Sequence, residues 1–180
     1  MKEKTLQHKV IYDGKIIRVD VDAVELCDGS ITKREVVHNG GGVCVLALDE
    51  KEQIILVKQY RYPFNEILYE LAGGKQAQNE SYIESGLREL EEETGYVSEE
   101  CEYLGYLYPT VAYSSEVIHM VVAKNCVYRQ VCLDDGEFVE TILLSMDEVL
   151  KMIATNEIKD GKTIVAILKY LQFQSNKKEV

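Results

Sequence analysis

The sequence predicts an α+β fold: a mixed sheet flanked by helices, preceded by a small antiparallel β lobe. Three observations predict it. Polar and apolar residues alternate through positions 9–37, the period of strands with one covered face. Short apolar runs at 43–48 and 53–59 have the length and content of well-buried strands. Later segments with helical spacing are interspersed with further strands, without the regular βαβ rhythm of a parallel sheet.

Taken in order, the alternating stretch contains KIIRVDVDAVEL and SITKREVV, separated by Cys27-Asp28-Gly29-Ser30. This reads as a β-hairpin with a turn of the usual composition. Asn39-Gly40-Gly41-Gly42 is a flexible joint, so a lobe at 1–39 and a main domain at 40–180 are expected. The polar turn Asp49-Glu50-Lys51-Glu52 joins the two buried strands. A short strand at 67–71 runs into Ala72-Gly73-Gly74. Residues 81–94 have helical spacing and stop at Gly95, a residue suited to the position just past a helix end. Strands are expected near 101–108, 117–123 and 138–144. Two helices close the chain, 146–155 behind the N-cap Ser145 and 162–172 behind Lys159-Asp160-Gly161.

Composition narrows the class. The chain has 180 residues, enough for one domain or one with a small extra lobe. With 46% hydrophobic and 28% charged residues it can build a real core in water. A formal charge of −11 argues against nonspecific binding to a nucleic acid backbone. An acidic protein that handles phosphate must neutralise the repulsion locally, with metal ions or a few placed cations. The five cysteines form no CxxC pair, which suits neither a disulfide framework nor a zinc site and points to core packing in a reducing compartment. MKEKTLQHKV lacks a secretory apolar run, and no apolar stretch approaches the ~20 residues that span a bilayer. A cytoplasmic protein without membrane partners is expected.

The chemistry concentrates in GKQAQNESYIESGLRELEEETGY, residues 74–96. On a helix, Glu89, Glu92 and Glu93 share one face at i, i+3 and i+4. Like charges so placed cost about 0.2–0.5 kcal/mol per pair, a penalty that a bound cation reverses. Mg²⁺ is the natural ion because it takes oxygen ligands and bridges carboxylates to phosphates. Glu80, two turns before Arg88, could fix the guanidinium, which could in turn orient a ligating carboxylate. The glycine pair Gly73-Gly74 permits close backbone approach, so the Gly73 carbonyl could complete the metal shell. An acidic run such as ELEEET is by itself usually a solvated helix face. The whole spaced set is far more specific: G-x5-E-x7-R-E-U-x-E-E-x-G-U, with U a bulky apolar residue. Gly74, Glu80, Arg88, Glu89, Leu90, Glu92, Glu93 and Gly95 meet its fixed positions, and Tyr96 meets the last loosely.

In this pattern the chain resembles the Nudix hydrolase family. The resemblance implies an α/β/α sandwich and hydrolysis of a nucleoside diphosphate linked to another moiety. It implies Glu89 and Glu93 as principal metal ligands, Glu92 as a further ligand or a base, Gly73 as the backbone ligand, and Arg88 with Glu80 as the supporting pair. The metal would be Mg²⁺, with Mn²⁺ as a substitute.

The flanks resemble the nucleotide-sugar branch, typified by ADP-ribose pyrophosphatase. They carry Val36-Val37-His38, Gln59-Tyr60-Arg61-Tyr62, Glu70-Leu71-Ala72-Gly73-Gly74 and Asp160-Gly161-Lys162-Thr163. This implies a homodimer through the N-terminal β lobe. Glu137, in the loop Leu133-Asp134-Asp135-Gly136-Glu137-Phe138, is the expected general base, with Glu92 as second choice. Arg61 is the leading cation for substrate phosphate, the alternative being an ion pair with Glu66 or Glu70. Glu116 falls where the branch carries an acidic residue near the site, and Tyr60 could stack on a base or sugar. His38 and His119 are expected to be structural. Two departures bear on substrate: Ala72-Gly73-Gly74 stands for Pro-Ala-Gly, and Thr110-Val111-Ala112 for Ser-Pro-Gly. ADP-ribose is favoured, with GDP-mannose or another nucleotide sugar as rival. A noncatalytic sensor on the same fold is the alternative of another class, and the intact acidic set argues against it.

Overall fold

The computed structural model describes residues 1–131, 133 and 138–178. By contacts the chain divides into two compact units, Met1–Gly41 with Tyr108–Val117, and Gly42–Leu107 with Ile118–Val180.

The first unit is a three-stranded antiparallel sheet, β1 (Lys4–Asp13), β2 (Ile17–Glu25) and β3 (Ile31–Asn39). The expected hairpin is β2–β3. Its turn closes through the Leu26 N–H to the Ser30 carbonyl at 2.8 Å, with Gly29 at φ +85, a conformation that glycine adopts without a Cβ penalty. β1 adds a strand that starts before the alternation of 9–37 and overlaps it only at residues 9–13. The later segment joins this unit through a parallel bridge between Val37 and Ser114. Asp20 is buried, with Arg18 Nη2 at 2.9 Å and His38 Nε2 at 2.8 Å from its Oδ2, so His38 has a structural partner.

The second unit is an eight-stranded mixed sheet. Its path runs β11 (Val139–Leu144), β5 (Ile54–Arg61), β4 (Gly42–Asp49), β10 (Ile118–Tyr128), β8 (Tyr96–Val97). β6 (Glu66–Glu70) pairs with β5, β7 (Ala72–Gly74) with β4, and β9 (Glu100–Leu107) with β10. Among the described residues of this sheet, only β4 and β10 pair in parallel. Alternate residues feed opposite faces, as a strand period of two requires. Cys44, Leu46, Leu56, Met120 and Val122 pack with Val149 of α2 (Met146–Ala154) and Ala166 and Ile167 of α3 (Gly161–Lys178). Val45, Ala47, Ile55, Val57 and Ala123 pack with Leu90 of α1 (Tyr82–Thr94). The sheet thus lies between helix layers. Each fully buried Ile or Leu contributes roughly 1.5–3 kcal/mol, so this double-faced core dominates the unit's stability. Of the cysteines expected in the core, Cys44 and Cys126 belong to it, and burial pushes both thiols up to about 12, whereas Cys27 is exposed, Cys101 is half-buried and Cys132 lies outside the described residues.

Candidate active site

The acidic helix is built by local signals. Ser81 caps it: its hydroxyl accepts from the Glu84 N–H at 3.2 Å, and the Ser81 N–H donates to Glu84 Oε2 at 2.7 Å. This reciprocal box satisfies two of the donors that a helix start leaves open. Gly95 ends it in the left-handed region at φ +73, with its N–H on the Glu91 carbonyl at 2.9 Å. Gly86 lets the helix lie close on the sheet. A Cβ there would stand 3.0 Å from a Val45 methyl and 3.3 Å from a Val43 methyl.

That seating turns the acidic face onto β7. Glu93 is only 6% exposed, and its Oε2 accepts the Gly73 N–H at 3.0 Å. The Glu89 carboxyl occupies the space that a side chain at Gly74 would need. Two carboxylates one turn apart on α1 therefore sit over two consecutive glycines of one strand. Gly73 is itself held against β4, opposite Cys44.

Arg88 gathers the remaining acids. Its Nε lies 3.3 Å from both Glu80 oxygens, and Nη1 reaches Glu92 Oε2 at 2.7 Å and Glu89 Oε1 at 2.9 Å. Nη2 donates to the Lys75 carbonyl at 3.1 Å. Burial opposes its charge, but the Glu89, Glu92 and Glu80 carboxylates outweigh burial and raise the guanidinium's pKa. Glu80 also accepts from the buried Ser85 hydroxyl at 2.7 Å; that bond first, and Arg88 second among the favourable contacts, keep its carboxyl below the usual range.

The other expected residues fall as follows. Arg61, on β5, forms a two-pronged pair with Glu70, Nε to Oε1 at 2.5 Å and Nη2 to Oε2 at 2.7 Å. Tyr60 is 52% exposed and its hydroxyl donates to Asn65 Oδ1 at 2.7 Å. Glu116 belongs to the first unit, where its N–H donates to the Ser114 hydroxyl at 3.2 Å. Glu137 lies outside the described residues. His119 stacks on Tyr82 with ring centroids 3.4 Å apart and lies 2.7 Å from the Tyr103 hydroxyl.

The pairing with Glu70 is the alternative that the sequence offers for Arg61, whereas no role is expected there for Asp160, Lys162 and Thr163 as partners of that pair. Glu70 is almost fully buried and carries Lys162 as well as Arg61. Lys162 also pairs with Asp160 at 2.9 Å, and Thr163 donates to that same carboxylate at 2.6 Å. Burial works against the Glu70 charge, yet Arg61 and Lys162 together hold its carboxyl below the usual range.

Among the described residues, no three His, Cys, Asp or Glu side chains already form a cation site. The reason is visible in the pairing: Glu89 and Glu92 lie on Arg88, and Glu93 on a backbone N–H. The donor chemistry nevertheless fits a hard divalent ion, since Glu89, Glu92, Glu93 and the Gly73 carbonyl offer only oxygen.

Residues 38–165 match the NUDIX domain model, and residues 3–37 match the nucleoside diphosphate sugar hydrolase N-terminal domain. The chain belongs to the NUDIX family and is a hydrolase of its nucleoside-diphosphate-sugar class. It is 39% identical to the methanol dehydrogenase activator of Bacillus methanolicus, over 96% of this chain and 94% of that protein. It is 36% identical to the ADP-ribose pyrophosphatase of Bacillus subtilis, over 97% and 95%. A GDP-mannose pyrophosphatase of Klebsiella pneumoniae is 32% identical over 81% and 78%. The crystal structure of an ADP compounds hydrolase superposes with a TM-score of 0.88 at 17% identity, covering 100% of this chain and 98% of that one, a likeness of fold.

Proposed function

We propose that this chain hydrolyses the pyrophosphate of ADP-ribose to AMP and a sugar phosphate, with Mg²⁺ as the physiological ion and Mn²⁺ as a substitute. The observation that carries the reading is the seating of Glu89 and Glu93 over Gly74 and Gly73. Glu89, Glu92, Glu93 and the Gly73 carbonyl would hold the ion. When bound, it supplies charge neutralisation at the diphosphate oxygens that otherwise repel a nucleophile. Arg88 keeps Glu89 and Glu92 oriented, and Glu80 keeps Arg88 in place. The glycines leave the strand bare of side chains, so a diphosphate can lie against it. Glu137 takes the proton of the attacking water, with Glu92 as the alternative. Arg61 grips phosphate from β5, and Glu116 and Tyr60 contribute to substrate binding.

We assign the protein to the cytoplasm as a homodimer built through the N-terminal lobe, with the domain boundary at residue 39. Every residue of β1 is exposed, including Leu6, Val10 and Tyr12, so that strand offers apolar surface to a second copy. No helix among the described residues is long and apolar enough to cross a membrane.

The test is a panel of ADP-ribose, GDP-mannose and other nucleotide sugars with Mg²⁺, products separated chromatographically and compared by kcat/KM. ADP-ribose is expected to lead. Preference for GDP-mannose would move the substrate, and binding without turnover across the panel would indicate a sensor. A second reading, activation of a methanol dehydrogenase, is favoured by the 39% identity to the methanol dehydrogenase activator. Adding the protein to a methanol dehydrogenase assay tests it.

A further inference from the structure

The turn Asp160-Gly161-Lys162-Thr163 opens α3, far in sequence from the acidic helix, yet it clamps the strand segment that leads into Gly73. The Leu71 N–H donates to Thr163 Oγ1 at 2.8 Å across 92 residues. Thr163 is fully buried, and its hydroxyl in turn donates to Asp160 Oδ2 at 2.6 Å. The Thr163 N–H meets that same oxygen at 3.0 Å. Lys162 joins Asp160 to Glu70, the residue just before Leu71. Burial disfavours the Lys162 charge, but Asp160 and Glu70 outweigh burial and raise its pKa. Residues 70 and 71 are therefore tied to α3 by one backbone bond and one buried ion pair. Two residues on, Gly73 is tied to α1 through Glu93.

We propose that Thr163 and Lys162 are positioning residues for the metal site. By fixing Glu70 and Leu71 they set where the Gly73 carbonyl stands relative to Glu89 and Glu93. The inference rests on the reading of Gly73 and those glutamates as cation ligands. β4 alone does not give this constraint, because β7 pairs with it over three residues only, Val43–Val45 against Ala72–Gly74. A three-residue ladder ending in two glycines is a weak determinant of carbonyl position, whereas a saturated buried network specifies geometry.

The experiment compares wild type with Thr163→Val, Thr163→Ser, Lys162→Met and Lys162→Arg. Mn²⁺ binding to the free protein is measured by electron paramagnetic resonance, and kcat and KM for ADP-ribose are followed across a Mg²⁺ titration. Removing a group that orients a ligand typically weakens metal affinity about 10–100-fold. T163V is expected to fall in that range for Mn²⁺ and to need correspondingly more Mg²⁺. Its substrate KM at saturating metal should be unchanged, and T163S should recover most of the affinity. If T163V proves poorly folded, K162M against K162R makes the same comparison from the ion-pair side. Folded variants that bind Mn²⁺ like wild type would overturn the proposal while leaving the active-site reading intact. Wild type that fails to bind Mn²⁺ at all would overturn both.

Discussion

The Gly73 N–H and the Glu93 carboxylate meet at 3.0 Å, joining the strand β7 to the helix α1 across 20 residues of sequence. That bond holds a buried carboxylate beside a stretch of strand without side chains. The two glycines of that strand are not equivalent, and the difference is measurable.

A Cβ at Gly74 would strike the Glu89 carboxyl, the far end of a flexible side chain, whereas one at Gly73 would strike the backbone of Val43 and Cys44. Gly74→Ala should therefore leave stability within about 1 kcal/mol, as at a site that can give way, while displacing Glu89 and lowering kcat by about tenfold or more. Gly73→Ala should lose about 1–3 kcal/mol through overpacking. Urea melts and steady-state kinetics on both variants separate the two effects. Equal destabilisation would contradict the contact geometry.

Glu70 links stability to pH. Its folded pKa is depressed, so its ionisation favours the folded state above its unfolded value of roughly 4.3. That contribution disappears as pH falls through the folded value. Glu70→Gln should cost about 2–3 kcal/mol at neutral pH, below the ~3–5 of a fully buried pair, because the Arg61 side chain is 40% exposed. The gap between wild type and variant should narrow as pH drops below about 4. Denaturant midpoints at pH 7 and in acid read this directly, and a gap that widens in acid would be the wrong sign.

Ser81→Ala removes the hydroxyl that accepts the Glu84 N–H. The expected cost is about 1 kcal/mol, or roughly 2–4 °C in Tm for a chain of this size. Differential scanning calorimetry checks it. No change in Tm would mean that the cap is redundant.

The sequence makes α1 legible because every signal that builds it is local: Ser81 with Glu84, the leucine spacing and Gly95. The same holds for Arg88, whose partners Glu80, Glu89 and Glu92 lie within eight residues. β1 is harder to read, since all its residues are exposed and no buried face imposes strict alternation. β7 is hidden by its glycines, which carry no strand preference. The clamp on Glu70 and Leu71 is invisible to spacing arguments because its partners lie 92 residues away. Arg61 is legible both as a phosphate cation and as an ion-pair partner of Glu66 or Glu70, and the structure shows the pair with Glu70.

The most direct test of the catalytic assignment is Glu93→Gln, assayed with Mg²⁺ and ADP-ribose by following AMP release. Glutamine keeps an oxygen for the Gly73 N–H but removes the charge that a cation needs. The variant should fold, and its turnover should fall more than about 100-fold, beyond what losing a merely supporting group costs. Turnover equal to wild type in that variant would contradict the assignment.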